Sequence, residues 1–149
     1  MDNLWTNIND NIPMYMNDIC KEHKLECVNI SPLKTAMLGK KFAIMIAIDR
    51  FDIEIYYLYK KDRDIVKYSC GSFFAQAYDD HDRENLLSGE GADTYIKNCL
   101  LIAAKGLASK WENVLEGDRM WLEKYKSSSR YAKENLTADE RTIFEKYFI

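Results

Sequence analysis

Apolar side chains recur every three or four residues near the start of the chain, which is the spacing of one helix face. Within a helix predicted over residues 2–24, these positions are Trp5, Ile8, Ile12, Tyr15, Met16, Ile19 and His23. Pro13 lies inside the pattern, and proline removes a helical N–H and crowds the preceding turn. The stretch just before it, residues 7–11, is rich in Asn and Asp, which favour helix caps. The sequence therefore predicts a break at Pro13.

From Leu25 the apolar positions alternate with polar ones, which is the period of a β-strand. Strands are predicted at residues 25–30, 34–38, 41–49, 53–59 and 64–70. Short polar turns separate them, and such turns favour an antiparallel meander over parallel βαβ units. The first strand has the character of an edge strand. The third is apolar on both faces, so we expect it to be central and covered from both sides.

Helical spacing returns after Asp93, with an apolar stripe over residues 96–115. This pattern predicts one long helix from Asp93 to about Glu116 that packs on one face of the sheet. Gly117 has the position of a C′ residue that ends a helix, and Asp118 that of an N-cap for the next one.

The last part of the chain predicts one more helix. Thr137 and Glu140 have the spacing of a capping box, and the inward face behind it is Ile143, Phe144, Tyr147 and Phe148. We expect the apolar residues 73–78 either to extend the sheet or to cover its end. The whole chain, 1–149, is predicted to be a single α+β domain: an N-terminal helix, a four- to five-stranded antiparallel meander, and C-terminal helices packed on the sheet.

Charge and hydropathy restrict the function classes. The chain carries 21 Lys and Arg against 24 Asp and Glu, a formal charge of −3, whereas a general nucleic-acid binder needs a basic face. The longest apolar run, Phe42 to Ile48, is too short to span a membrane, and the first residues lack a signal-peptide pattern. Four cysteines in apolar contexts favour reduced thiols in a cytoplasmic protein, with two disulfides as the alternative.

Two groups of side chains have the composition of a reactive site without its spacing. Cys20, His23 and Cys27 offer soft metal ligands, but no second ligand pair follows at a zinc-site spacing. Cys70 and His81 can be drawn as nucleophile and base, although no surrounding motif supports the pair. We therefore predict no catalytic residue, no metal ligand and no cofactor.

Residues 79–84 form the densest polar cluster in the chain. Carboxylates and an imidazole at Asp79, His81 and Asp82 suit a divalent metal, which makes a metal-assisted hydrolase one alternative. A solvated acidic loop is the simpler interpretation, since consecutive side chains rarely converge on one ion.

The acidic cluster follows an aromatic stretch, and this combination also suits protein recognition. Tyrosine brings a large contact area at low entropic cost, although it is also common in ordinary strands. We expect some of Tyr56, Tyr68 and Tyr78 to face away from the helix layer. The predicted contact patch for a protein partner is Tyr78, Asp79, Asp80, Asp82, Glu84 and Glu90.

The segment Leu115-Glu116-Gly117-Asp118-Arg119-Met120-Trp121-Leu122 resembles the C-terminal part of many small bacterial proteins. Among them are immunity proteins of polymorphic toxin systems, which are small acidic α+β domains. The resemblance covers residues 93–125 as a motif and the whole chain as architecture. It implies a non-catalytic inhibitor that occludes a partner toxin, such as a basic nuclease domain, and it carries over no binding residue. An effector chaperone or adaptor, usually dimeric, is the other alternative.

Overall fold

The computed structural model describes residues 4–50 and 52–148, with side chains from Ile12 onward. In chain order the elements are α1 (Leu4–His23), β1 (Glu26–Ser31), β2 (Lys34–Gly39), β3 (Phe42–Asp49), β4 (Asp52–Lys61), β5 (Asp64–Ser69), α2 (Gly71–Ala75), α3 (Ala92–Lys110), α4 (Glu112–Leu115), α5 (Trp121–Lys126), β6 (Lys133–Glu134) and α6 (Ala138–Tyr147). Among these residues, none of the helices is both long enough and apolar enough to cross a membrane.

The strands form one antiparallel sheet in the order β1-β2-β3-β4-β5-β6. The α+β class and the meander are confirmed, with six strands where the sequence predicted four or five. The additional strand, β6, pairs Lys133 with Tyr68 and Glu134 with Lys67. Two residues carry no alternation pattern, so the ladder of β5 rather than local sequence defines this strand.

Helices cover both faces of the sheet. The strand residues alternate between a first core, under α1 and α3–α5, and a second core under α6. In β3, Ile44 faces the first core and Met45 the second, and both are fully buried. The prediction of a central strand covered from both sides is confirmed, as is the edge position of β1.

The first helix runs through Pro13 without interruption, so the predicted break is wrong. Ile12 and Met16, on either side of the proline, are both fully buried in the first core. Burial of one apolar face along the helix outweighs the single backbone hydrogen bond that proline removes. The side chains of Trp5 and Ile8 lie outside the described residues.

The long C-terminal helix ends earlier than the apolar stripe predicted. Trp111 leaves helical geometry at φ −128° and ψ 32°, and its indole N–H donates to the carbonyl oxygen of Phe74, 2.9 Å away. This tertiary hydrogen bond divides the predicted helix into α3 and α4. Gly117 does end α4, at φ 89°. The predicted N-cap role of Asp118 is wrong, since Met120 has that position before α5; a carboxylate oxygen of Asp118 instead accepts the amide of Met120 in the turn.

The last helix joins the sheet through a buried carboxylate. The capping box of Thr137 and Glu140 is present, as predicted. In addition, the two oxygens of Glu140 accept hydrogen bonds from Lys34 and Lys67 on the sheet, each at 2.8 Å. The side chain of Glu140 is 0% exposed, so one residue both begins α6 and fixes it to the second core.

Candidate protein-binding surface

The sheet presents no exposed tyrosine face. Tyr57, Tyr59 and Tyr68 point into the first core and are buried. Tyr56 points to the opposite face, as expected, but it is half-buried there with the ammonium of Lys67 4.4 Å from its ring centroid. These strand tyrosines form no exposed recognition surface, because α6 covers the sheet face to which Tyr56 points.

The loop over residues 79–91 is attached to α3 through a buried carboxylate. Asp82 is 0% exposed and accepts hydrogen bonds from the hydroxyl of Ser109 at 2.6 Å and the amide of Asp79 at 3.0 Å. Lys110 lies 3.2 Å from the same side chain. Burial alone would raise the pKa of Asp82, but these hydrogen bonds and the ammonium together lower it to about 2.

A substitution at Asp82 tests this attachment through its pH dependence. Because the folded-state pKa lies below the ordinary value of 3.8, the charged form stabilises the fold above the unfolded pKa. That stability is lost as the pH falls through the folded pKa. We expect Asp82→Asn to lower the free energy of unfolding by a constant amount above about pH 5, and the difference from wild type to shrink between about pH 4 and 2. Urea titrations at several pH values measure it. A pH-independent difference would contradict the ion pair.

The predicted contact patch is only partly at the surface. Asp82 is buried, and Tyr78 packs its ring against Gly106, where a Cβ would come within 2.2 Å of it. The phenol oxygen of Tyr78 is buried and has no hydrogen-bond partner among the described residues. Asp79 is exposed but pairs with Lys110 at 3.0 Å. The exposed carboxylates without a lysine or arginine partner in the described part are Asp80, Glu84 and Glu90.

The same loop exposes apolar side chains that the sequence did not indicate. Leu86 is 38% exposed, Leu87 46% and Tyr95, in the first turn of α3, 53%. The side chain of Asn98 holds the Leu87 backbone at both ends, accepting from its amide at 2.8 Å and donating to its carbonyl at 3.1 Å. No local sequence pattern indicates that the backbone of Leu87 is held in place, because its partner Asn98 lies eleven residues away.

We call this region the loop surface: Asp80, Glu84, Leu86, Leu87, Glu90 and Tyr95. A lysine on α3 adds a further attachment, since Lys105 donates to the carbonyl oxygen of Glu84 at 2.6 Å. The loop surface combines exposed apolar side chains with carboxylates that are close to them in sequence, on a backbone held at Glu84 and Leu87. A fixed backbone reduces the entropy lost on association.

The other groups considered in the sequence are not assembled. His81 has a 79% exposed side chain and pairs with Glu84 at 3.3 Å, whereas Asp82 is buried against α3, so they do not face one ion. Cys70 is fully buried, and its thiol donates to the carbonyl of Tyr68. Burial raises the pKa of Cys70, which opposes thiolate formation. The exposed imidazole of His81 is not its partner.

The candidate zinc ligands Cys20, His23 and Cys27 do not form one cluster either. The thiols of Cys20 and Cys27 interact with each other, which raises the pKa of Cys20 and lowers that of Cys27. His23 pairs instead with Glu116 at 2.7 Å. In the described part of the chain, one group could in principle hold a metal: Glu22, His23 and Glu112, with ligand atoms within 4.8 Å of one another. Two of its three members are exposed carboxylate residues, a common arrangement without any metal.

The loop surface is thus the feature whose geometry points to a molecular interaction. The chain matches no protein-family model, no curated protein and no solved structure, and its function is inferred from the geometry above.

Proposed function

We propose that the protein is a protein-binding module of the immunity type, which occludes a partner toxin through its loop surface. The observation that supports this proposal is the pair of exposed leucines, Leu86 and Leu87, whose backbone Asn98 holds through two hydrogen bonds. Apolar anchors at the centre of a polar rim are the usual source of affinity at protein interfaces.

The charge of the rim indicates the chemistry of the partner. Asp80, Glu84 and Glu90 are exposed carboxylates close to the leucines in sequence, and they outnumber Arg83, an exposed cation of the same loop. A predominantly acidic rim accelerates encounter with a basic surface and disfavours acidic partners. The partner surface is therefore basic around an apolar pocket, as a toxin domain that acts on nucleic acid would be.

The partner can be sought without depending on its natural expression. The wild-type chain is used to select from a library of genomic fragments of the source organism displayed on phage. We expect one fragment family to be enriched, to be lethal when expressed alone, and to be harmless when co-expressed with the wild-type chain. Failure to enrich any fragment, or enrichment of fragments that are not toxic, would contradict the immunity proposal.

A double substitution tests the apolar centre. Changing Leu86 and Leu87 to Asp places two charges where the partner's apolar pocket would desolvate them, and we expect affinity to fall by at least about 100-fold, or about 2.7 kcal/mol. The side chains are exposed, so the free energy of unfolding should change by less than about 0.5 kcal/mol. Calorimetry with the selected partner and urea titration of the free chain measure the two effects.

Charge reversal tests the acidic rim of the loop surface separately from its apolar centre. Reversal of Glu84 and Glu90 to Lys should slow association about tenfold and weaken its salt dependence. The matched control reverses Glu26 and Glu123, which are exposed on β1 and α5 and change the net charge equally. If the control slows association as much, the rim has no specific role. If the leucine variant protects cells from the toxin as well as wild type, the interface lies elsewhere.

A further inference from the structure

A second surface has the opposite charge. The turns β2–β3 and β4–β5 lie at one end of the sheet, and a cleft of about 470 Å³ opens between them and the end of α6. Four cationic side chains line it, namely Lys40, Lys41, Lys60 and Arg119. Among the described residues, Asp62 is the single carboxylate in its lining. We call this site the basic cleft.

The charge of the basic cleft is not neutralised by the protein. Four cations against one carboxylate leave a formal local charge of +3 in a chain whose total is −3. No ion pair within 4.0 Å joins Lys40, Lys41 or Lys60 to any described residue. Like charges held together in this way repel one another, and a bound anion removes the repulsion.

Arg119 is held in place rather than free in solvent. Its guanidinium donates to the phenol oxygen of Tyr57 at 3.3 Å and to the carbonyl oxygen of Lys41, and it lies 4.2 Å from the ring centroid of Tyr59. These contacts use only part of its five N–H donors. The arginine therefore fixes the β2–β3 turn at the wall of the cleft and remains able to donate to a ligand.

Lys41 occupies a backbone position that lysine does not favour. Its φ is 66°, in the left-handed region that glycine and asparagine adopt with less strain. Arg50 and Asp62 adopt the same region in the two following hairpin turns, so this conformation belongs to the tight turn. The turn brings the side chain of Lys41 into the cleft lining.

The remaining wall is aromatic. Tyr147 and Phe148 line the cleft, with ring centroids 5.2 Å apart in an edge-to-face arrangement. Phe148 is buried in the second core, so the accessible ring is that of Tyr147. The hydroxyl of Tyr147 donates to the carbonyl oxygen of Gly39, which joins this wall to the same turn. The volume lies within the range of small-molecule sites and exceeds what one inorganic anion needs.

We propose that the basic cleft binds a multiply charged organic phosphate with a flat ring, of the nucleoside diphosphate class. The phosphates lie among Lys40, Lys41, Lys60 and Arg119, and the ring lies against Tyr147, behind which Phe148 packs in the second core. A charge of about −3 at neutral pH, carried by a diphosphate, matches the local charge of the cleft better than a monocarboxylate does. This site is independent of the loop surface and does not rest on the proposed function.

The probe is ADP, titrated into the full chain in a calorimeter, with inorganic pyrophosphate and adenosine as its separate halves. We expect saturable binding of one ADP per chain that weakens as salt is raised, because the contact is mainly electrostatic. Pyrophosphate should bind at least fivefold more weakly than ADP, and adenosine more weakly still. Absence of saturable ADP binding would overturn the site. Equal affinities for ADP and pyrophosphate would overturn the role of the aromatic wall.

Two variants of equal charge separate the site from a general electrostatic effect. Reversal of Lys40 and Lys60 to Glu should weaken ADP binding at least tenfold. Reversal of Lys21 and Lys124, exposed on α1 and α5, should weaken it less than twofold. Equal weakening by both pairs would show that ADP responds only to net charge and would overturn the proposal.

Substitution of Lys41 by Asn should raise the Tm of the free protein and weaken its binding of ADP. Asparagine tolerates the left-handed backbone better, so the Tm of the free protein should rise by about 2–4 °C. Loss of the ammonium should weaken ADP binding about fivefold, an effect that a turn with only a structural role would not produce. A higher Tm with unchanged affinity would remove Lys41 from the site.

Discussion

Replacing Glu140 by Ala should lower the free energy of unfolding by about 3–5 kcal/mol, because it leaves the buried Lys67 with only the more distant, partly exposed Glu134 as a counter-ion, 3.8 Å away. The ammonium of Lys67 is 2.8 Å from Glu140, and the side chain of Lys67 is only 4% exposed. The same substitution removes the second ion pair, to Lys34, and the capping interaction with Thr137. Urea titration at neutral pH measures the loss.

Two controls separate the buried pair from surface electrostatics. Asp139→Ala removes an ion pair to Lys34 that is longer, 3.3 Å, and half-exposed, and should cost less than about 1 kcal/mol. Replacing Lys34, Lys67 and Glu140 together with methionine leaves no buried charge unpaired, since the carboxylates that lose a lysine partner, Asp139 and Glu134, are partly exposed. We expect its cost to be much smaller than that of Glu140→Ala alone. A loss below about 1 kcal/mol for Glu140→Ala would contradict the assigned role.

Replacing Phe74 by Ala should cost about 3–5 kcal/mol by opening a cavity at the centre of the first core. The ring is fully buried and lies between two indoles, with centroids 4.9 Å from Trp111 and 5.2 Å from Trp121. The same residue accepts the hydrogen bond that ends α3, so the cavity would also loosen the junction of α3 and α4. Far-UV circular dichroism during urea titration avoids the change in tryptophan emission.

Two control substitutions separate the cost of the cavity at Phe74 from the cost of losing an aromatic ring. Phe74→Leu keeps most of the volume and should cost less than about 1.5 kcal/mol. Tyr95→Ala, at an exposed aromatic side chain, should change stability by less than about 0.5 kcal/mol. If the alanine and leucine variants at position 74 were equally stable, the packing described around Trp111 would be wrong.

Local patterns predicted the parts of the fold that depend on local chemistry. The continuous apolar run of β3, the left-handed glycine at Gly117 and the capping box at Thr137 are each patterns of a few consecutive residues. The errors concern tertiary contacts that outweigh local preference. Packing of Ile12 and Met16 carries α1 through Pro13, and a hydrogen bond across the core ends α3 at Trp111.

The candidate site was less predictable for the same reason. Asp82 has the same local character as Asp79 and Asp80, yet its oxygens face Ser109 and Lys110 on α3, a contact that sequence spacing does not encode. Leu87 had no local signal for a fixed loop, since its hydrogen-bonding partner, Asn98, lies eleven residues away on a helix. The net charge of −3 also gave no indication of the basic cleft, because it adds the acidic and basic surfaces of the chain into one number.

The order of the sheet has a consequence for synthesis of the chain. Strands β1–β5 pair only with their neighbours in sequence, so their hairpins need only short loop closures and can form as each strand leaves the ribosome. The face that carries Ala36, Met45 and Leu58, in contrast, is covered by α6, which is synthesised well after β5. Until then the nascent chain bears an open apolar sheet face, the feature by which incomplete chains aggregate. Arrival of the last helix, rather than assembly of the sheet, therefore sets how long the new chain needs protection.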